Sequence, residues 1–345
     1  MRRALRLATM RTMRRVAILV PTALVVLAMI GWSGAGHRTI TELAIDLLPA
    51  DAPAWMRERD VRTQIAYQSN EPDRWRGTRI DVLTNENGPD HFLDVELLAK
   101  SGHTMQSMPR MRYEFVAEVA RTTPVQREPT RGVAKFTKDE VGYLPYAIAE
   151  HQAKLVSSFN TLRILELTAG DGRAAERSAA RANAIHEMGQ LSHFVGDAAQ
   201  PLHSTIHHHG WVGENPDEFT RDKGFHSYID GDVVALHELD LVGVAAEGKT
   251  MVVMSQEKVF DEAIALIERS FKAVRPLYEL QKSGALQKEP GKLFIRERMA
   301  DGAAVLSGMY WAAWIASAPT DAQTKDFIKY DDRAPKQDKS TTSAR

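Results

Sequence analysis

The chain has 345 residues, of which 43% are hydrophobic, and its formal net charge is -1. This composition permits one large domain or two small ones, and it gives no support for a protein that coats nucleic acid or membranes, although it allows a local basic groove. The chain has no cysteine, which excludes disulfides and cysteine–zinc sites. A metal site must therefore use His, Asp, Glu or backbone groups.

The first 31 residues differ from the rest of the chain. Arginines between Arg2 and Arg15 precede an apolar run from Val16 to Gly31. This order is typical of a secretory signal peptide, so we expect a signal over residues 1–31 and export to the periplasm or the medium. An uncleaved membrane anchor is the alternative, but the run contains Pro21 and is short for a span of about 20 residues. We expect no stable membrane insertion once the signal is cleaved.

Helical spacing of apolar residues extends over most of the remaining chain, and no stretch alternates as strands do. We predict a helix with the stripe Ile40, Leu43, Ala44 and Leu47, a short helix near 113–119, and helices over 54–66, 139–167 with a kink at Pro145, 173–199, 227–241, 256–281 and 292–316. Residues 85–94 and 204–224 are predicted loops, and 100–136 is otherwise irregular. The sequence thus predicts one all-α domain over 32–328 and a polar, disordered tail at 329–345.

The helix over 173–199 carries the main chemical signal. His193 and Asp197 are four residues apart and share one helix face, roughly opposite an apolar stripe. We therefore expect this helix to be buried. His203 follows the helix end, and His226 and Asp230 repeat the four-residue spacing. One such pair alone is as well explained by a salt bridge, but two pairs with a histidine between them favour a metal site, because zinc binds neutral imidazole and carboxylate.

These motifs resemble those of the superfamily that joins the single-strand-specific zinc nucleases of fungi and plants with the bacterial zinc-dependent phospholipases C. The resemblance extends from Trp32 to Asp230, and it implies an all-α zinc phosphodiesterase domain that binds three zinc ions. One ion would be held by Asp73, His91, His193 and Asp197. A second would be held by His203, His226 and Asp230. The third would be held by Trp32, as the mature N-terminus, with His37 and Asp197.

The resemblance also implies a mechanism, in which a metal-bridging hydroxide attacks phosphorus. Asp73 matches the residue that orients the attacking water. Arg76 matches an arginine that stabilises the transition-state phosphate, a task suited to the guanidinium fork. Phe92 and Asp94 match residues that stack on a base and bind its edge. A core aromatic is an equally good interpretation of Phe92.

Several features favour the nuclease branch over the phospholipase branch. In the sequence His37 follows Trp32 by only five residues, and the loop from His203 to His226 has the nuclease length. The last ligand is Asp230 rather than glutamate, and Arg76 stands three residues after Asp73, where the nucleases place an arginine. We expect an exported endonuclease that cleaves single-stranded DNA or RNA, with 3′-nucleotidase activity as an additional expectation. The alternatives are a phospholipase C and a non-catalytic, metal-stabilised binding protein. The sequence predicts no oligomeric state.

Two other segments have less specific signals. Residues 95–180 are longer than the matching segment of the family, which predicts an added loop or helix near the site entrance. His207, His208, His209 and Trp211 lie in the loop before His226. We interpret these side chains as a solvated polar loop, with contact to substrate or to an accessory metal as the alternative.

Overall fold

The structure, a computed structural model, describes residues 34–78, 80–122, 126–127, 134–135, 141–168 and 173–330. These residues form a single all-α domain, which confirms the predicted fold class. They include one short antiparallel ladder, which pairs Gln126–Arg127 with Ala134–Lys135. The predicted signal at 1–31 and Trp32 lie outside the described residues. In the described part of the chain, no helix combines the length and apolarity needed to cross a membrane.

The α-helices are, in chain order, α1 (Gly34–Asp46), α2 (Arg59–Gln68), α3 (Glu71–Gly77), α4 (Asp81–Asn87), α5 (Arg112–Thr122), α6 (Leu144–Thr168), α7 (Ala174–Ala199), α8 (Phe225–Ser227), α9 (Val234–Leu236), α10 (Leu241–Ala245), α11 (Val259–Lys272), α12 (Val274–Lys282), α13 (Glu289–Ala316) and α14 (Asp321–Tyr330). Single 3₁₀ turns lie at Ala54–Arg57, Gly88–His91, Val95–Ser101, Met105–Ser107, Pro201–His203 and Gln256–Lys258. A π-helix, Tyr228–Val233, joins α8 to α9.

Helix α7 forms the centre of the domain, as the sequence predicts. Residues 188–200 are buried without interruption, and α7 packs against α1, α2, α6, α11 and α13. The crossing with α2 is close, because a Cβ atom at Gly189 would lie 2.2 Å from Cβ of Gln68. On another side, the Tyr310 hydroxyl of α13 donates a hydrogen bond of 2.8 Å to the carbonyl of Met188. The site-bearing half of α7 is therefore held by neighbouring helices.

Several predicted boundaries are wrong for identifiable reasons. The expected kink at Pro145 does not exist, because α6 begins at Leu144 and the proline sits in its first turn, where no backbone N–H is needed. The predicted loop at 85–94 contains the end of α4 and a 3₁₀ turn. The helix predicted over 256–281 divides near Ala273 into α11 and α12. Helix α14 was not predicted, and residues 331–345 lie outside the described residues.

The close approach of α2 and α7 predicts the effect of a small substitution. Gly189→Ala should lower the free energy of unfolding by about 1–3 kcal/mol, because the added methyl group meets both the side chain and the backbone of Gln68. Urea unfolding measures this change. Gly77→Ala is the control, because a Cβ there meets nothing within 4 Å, and it should change stability by no more than about 1 kcal/mol. Equal stability of the two variants would contradict the packing at Gly189.

Candidate metal centre

The predicted metal ligands that the structure describes lie together in the domain interior. They come from α1, α3, the 3₁₀ turns at 88–91 and 201–203, α7, α8 and the π-helix. Each is linked to another by a contact of 4.0 Å or less. We call these residues the His/Asp cluster: His37, Asp73, His91, His193, Asp197, His203, His226 and Asp230. All except Asp73, which is partly exposed, are buried.

Asp197 lies between four imidazole rings. Its Oδ2 is 2.9 Å from Nδ1 of His91 and 3.3 Å from Nε2 of His193. Its Oδ1 is 3.4 Å from Nε2 of His37 and 3.7 Å from Nε2 of His203. One carboxylate thus connects side chains from α1, α7 and two 3₁₀ turns, which fits the bridging position that the family resemblance implies.

Helices α1 and α7 approach closely at Gly196, one residue before Asp197. A Cβ atom at Gly196 would lie 2.6 Å from Nδ1 of His37, so only glycine leaves room for that ring. The His37 ring stacks on His193 with centroids 4.2 Å apart. The glycine in the His-Phe-Val-Gly-Asp motif is therefore needed to bring His37 to the cluster.

A second part of the cluster forms around His226. Its Nε2 is 3.1 Å from Nε2 of His203 and 3.1 Å from Oδ2 of Asp230. Gln200 donates a hydrogen bond of 2.7 Å to the other oxygen of Asp230, and its own side-chain oxygen accepts from the backbone N–H of Leu202. One side chain therefore links the turn that carries His203 to Asp230.

Three groups of side chains have ligand atoms within 4.8 Å of one another, as a metal ion requires. One group, His203, His226 and Asp230, equals a predicted set. A second, His91, His193 and Asp197, lies within the predicted set that also includes Asp73. The third joins His37 to Asp73 and His193, whereas the sequence places His37 with Trp32 and Asp197. The described residues therefore form buried groups that can hold metal ions, and the division of ligands among individual ions stays a prediction.

Hydrogen bonds outside the cluster fix two of its rings. Nδ1 of His193 lies 2.8 Å from the carbonyl of Ser69, and Nδ1 of His203 lies 2.5 Å from the carbonyl of His91. A carbonyl oxygen can only accept, so each Nδ1 carries the proton. When these rings are neutral, each Nε2 points its lone pair into the cluster, as it does in histidines that bind metals.

Buried nitrogen and oxygen atoms that lack hydrogen-bond partners make the cluster suitable for metal ions. Among the described residues, several buried cluster atoms have no hydrogen-bond partner: both ring nitrogens of His37, Oδ1 of Asp73 and of Asp197, Nδ1 of His226, and Oδ2 of Asp230. Leaving such an atom unsatisfied costs about 1–3 kcal/mol, and native proteins rarely do so. Cations bound among these nitrogens and oxygens would remove most of that cost.

The protonation states of His91, His203, His226 and Asp197 agree with metal binding. Burial lowers the pKa of His91 and of His226 to about 3, and that of His203 to about 4, so these rings are neutral at neutral pH. Burial alone would raise the pKa of Asp197, but the neighbouring His203 and His193 hold it well below its usual value. Neutral imidazole and ionised carboxylate are the forms that bind metals.

Arg76 lies beside the cluster on α3. Its Nη1 is 3.5 Å from Oδ1 of Asp73, and both side chains are 14% exposed. The same Nη1 is buried and has no hydrogen-bond acceptor among the described residues. Burial alone would raise the pKa of Asp73, but His193 and His91 hold it below its usual value. An ionised carboxylate and a guanidinium with an unused donor thus stand together at the edge of the cluster.

The two predicted substrate residues, Phe92 and Asp94, follow His91 in the chain. Phe92 is half-buried against Gly142, so its position leaves both base stacking and core packing open. Asp94 is buried, with Oδ1 3.9 Å from Nδ1 of His208. Its predicted contact with a base edge stays a prediction.

The histidine-rich loop packs closer to the cluster than a solvated loop would. His207 stacks on Trp211 with ring centroids 3.9 Å apart. The rings of His208 and His209 lie 6.5 Å and 5.8 Å from that of His226. The interpretation as a solvated loop is therefore incomplete, because this segment forms part of the wall around His226.

Asn87 and Gln200, which the sequence did not single out, orient cluster residues. Asn87 is buried beside His91, and Gln200 bonds Asp230. Their positions in the sequence could have indicated this role, since Asn87 stands four residues before His91 and Gln200 stands three residues before His203. Neither residue binds metals well, so a search for ligand types passes over both.

The sequence matches no protein-family model, and no curated protein matches it at a significant level. The resemblance to the zinc nuclease and phospholipase superfamily therefore stays a prediction from the motifs of this chain.

Metal binding should weaken as the pH falls, with zinc as the probe. Burial raises the pKa of Asp230 well above its usual value. Burial opposes protonation of His193, but Asp197 and Asp73 raise its pKa. Because their pKa values are raised, Asp230 and His193 take up protons at a higher pH than the free side chains do. Zinc must displace those protons in order to bind. Calorimetry in two buffers of different ionisation enthalpy should show proton release. Asp230→Asn should release fewer protons, and a proton count of zero in both proteins would contradict the assignment.

Proposed function

We propose that the chain is an exported, zinc-dependent phosphodiesterase of the superfamily that joins zinc nucleases and phospholipases C, and that its substrate is single-stranded nucleic acid or a nucleotide. The observation that carries this proposal is the position of Arg76. Its buried Nη1 forms an ion pair with Asp73 but has no hydrogen-bond acceptor among the described residues, and it stands beside cluster nitrogens and oxygens that also lack hydrogen-bond partners. Such an arrangement offers sites for cations and for a phosphate next to one another.

Zinc bound at the cluster would lower the pKa of a bound water and offset the charge of the phosphate. The protein residues have separate tasks. Asp73 is ionised and has a free oxygen, so it can accept a hydrogen bond from the attacking water and orient it. Arg76 donates N–H groups to phosphate oxygens, whose charge increases in the transition state. We propose three zinc ions with the ligand sets that the family resemblance implies, including Trp32 as the mature N-terminus.

The nuclease assignment is supported by Arg76, by Asp230 as the last cluster carboxylate, and by the spacing of Trp32 and His37. Phe92 and Asp94 are the proposed base contacts. Cleavage of phospholipids is the second candidate function. It is favoured by the sequence Glu71-Pro72-Asp73, which resembles the phospholipase branch more than the nuclease branch. It is also favoured by Ile80 and Val82, which follow α3 and are 55% and 80% exposed. Apolar side chains so placed suit contact with lipid.

The third candidate is a binding protein in which the metal serves structure alone. Structural zinc sites have four protein ligands, whereas catalytic sites leave a position for water or substrate. The group formed by His203, His226 and Asp230 provides three side chains. This composition supports catalysis over a purely structural metal.

A paired assay separates the candidates. The purified mature protein, loaded with zinc, is given single-stranded DNA and RNA in one arm and phosphatidylcholine micelles in the other. We expect cleavage of nucleic acid that chelation abolishes and zinc restores. Cleavage of lipid alone would transfer the assignment to phospholipase C. Hydrolysis of neither substrate, with zinc bound, would support the binding protein.

Arg76→Ala should lower kcat by about 100- to 1,000-fold, because the lost donor acts on charge that develops in the transition state. Arg76→Lys should recover only part of this loss, since an ammonium cannot form the two-pronged contact. Arg74→Ala is the matched control on the same helix, because Arg74 bonds Glu71 and the carbonyl of Tyr67 instead. Full turnover by Arg76→Ala would show that Arg76 has a different role.

A further inference from the structure

The ring nitrogen of His91 that points away from the cluster, its outer nitrogen, makes a different hydrogen bond from the outer nitrogens of His193 and His203. His193 and His203 direct the outer nitrogen at a backbone carbonyl, which fixes the proton there. The outer nitrogen of His91, Nε2, instead lies 3.0 Å from Nδ2 of Asn87, a nitrogen that donates. Asn87 is only 2% exposed, so solvent does not share this contact.

The orientation of the Asn87 amide follows from a second contact. The same Nδ2 atom is 3.0 Å from the carbonyl oxygen of Pro72. That oxygen can only accept, so the amide group that faces it must be the NH₂ and not the oxygen. An NH₂ group has two hydrogens, and here one is directed to Pro72 and the other to His91.

This arrangement determines where His91 carries its proton. Since Nε2 accepts from Asn87, the proton of the neutral ring must be on Nδ1, which donates to Oδ2 of Asp197 over 2.9 Å. Nδ1 is also the ring nitrogen that faces the cluster, 3.0 Å from Nε2 of His193. In this tautomer His91 is a hydrogen-bond donor to Asp197, and its inner nitrogen has no lone pair for a metal.

We propose that Asn87 is a positioning residue that sets the tautomer of His91. We further propose that the Asn87 amide flips, exchanging its oxygen and nitrogen, when a divalent metal binds at Nδ1 of His91. The proton leaves Nδ1 and the ring is protonated at Nε2, so His91 stays neutral and no net proton is lost from it. The amide oxygen of Asn87 then accepts from Nε2–H. This inference rests on the proposed role of His91 as a metal ligand.

The flip of the Asn87 amide also affects α3. With its oxygen towards His91, Asn87 no longer donates to the Pro72 carbonyl in the way that it does here. Pro72 directly precedes Asp73, which belongs to the same predicted ligand set as His91. Asn87 therefore links the tautomer of His91 to the backbone at Asp73. The change of tautomer at His91 should be accompanied by a change in the position of Asp73.

The test uses ¹⁵N-labelled histidine and NMR of the full mature protein, with and without zinc. In wild type we expect the His91 proton on Nδ1 without metal and on Nε2 with zinc. Asn87→Asp, whose carboxylate only accepts, should place the proton on Nε2 even without metal. Asn87→Leu should lower zinc affinity by about 10- to 100-fold, the usual effect of losing such a partner.

The matched control is Asn160→Leu, which removes a comparable bond, 3.1 Å long, to the carbonyl of Ser317 at the far end of α6. It should leave both zinc affinity and the His91 signals unchanged. A proton on Nδ1 of His91 in the zinc-loaded wild type would overturn the inference, and so would unchanged zinc affinity in Asn87→Leu. If Asn87→Leu fails to fold, the spectra of wild type and Asn87→Asp still show which nitrogen of His91 carries the proton, and so still test the inference. The NMR result is independent of phosphodiester cleavage, so the tautomer change and the proposed function can fail separately.

Discussion

The buried carboxylate of Asp197 is the interaction on which the rest of the site depends. Its two oxygens contact four imidazole rings, which come from α1, α7 and two 3₁₀ turns. Burial alone would raise the pKa of the carboxyl group, but His203 and His193 hold it well below its usual value. An anion in a helical core is stable only when cations or donors surround it. The histidines, and the metal ions that they can hold, supply that environment.

Helix packing then determines which residues can reach Asp197. Glycines at 189 and 196 allow α2 and α1 to approach α7 closely, which brings the Ser69 carbonyl and His37 beside His193. The approach of helices and the assembly of the cluster therefore have the same cause. Stability of the core and affinity for metal are coupled for this reason, because a change that separates these helices also separates the ligands.

Helical spacing predicted the all-α class and the central helix, and the spacing of ligand types singled out His193, Asp197, His203, His226 and Asp230. The family resemblance, and not the spacing, added His37, Asp73 and His91. The sequence did not show what depends on three-dimensional neighbours. Pro145 begins a helix instead of bending one, since the chain before Leu144 turns towards Phe92 and Pro89. Asn87 and Gln200 were missed because amide side chains bind metals poorly, and because their contacts with Pro72 and Asp230 join residues that are well separated in the sequence. The histidine-rich loop could not be placed against His226 from polarity alone.

The π-helix between α8 and α9 restricts how this protein can vary. Each residue added to or removed from a helix rotates everything beyond it by about 100°. His226 lies in α8 just before the π-helix and Asp230 lies within it, whereas Val233 at its end and Val234 at the start of α9 are buried in the core. The wider π turn lets both ends face inward at once. Loss of a single residue here would turn one end towards solvent, so homologous chains should keep the length of 225–236 as well as His226 and Asp230.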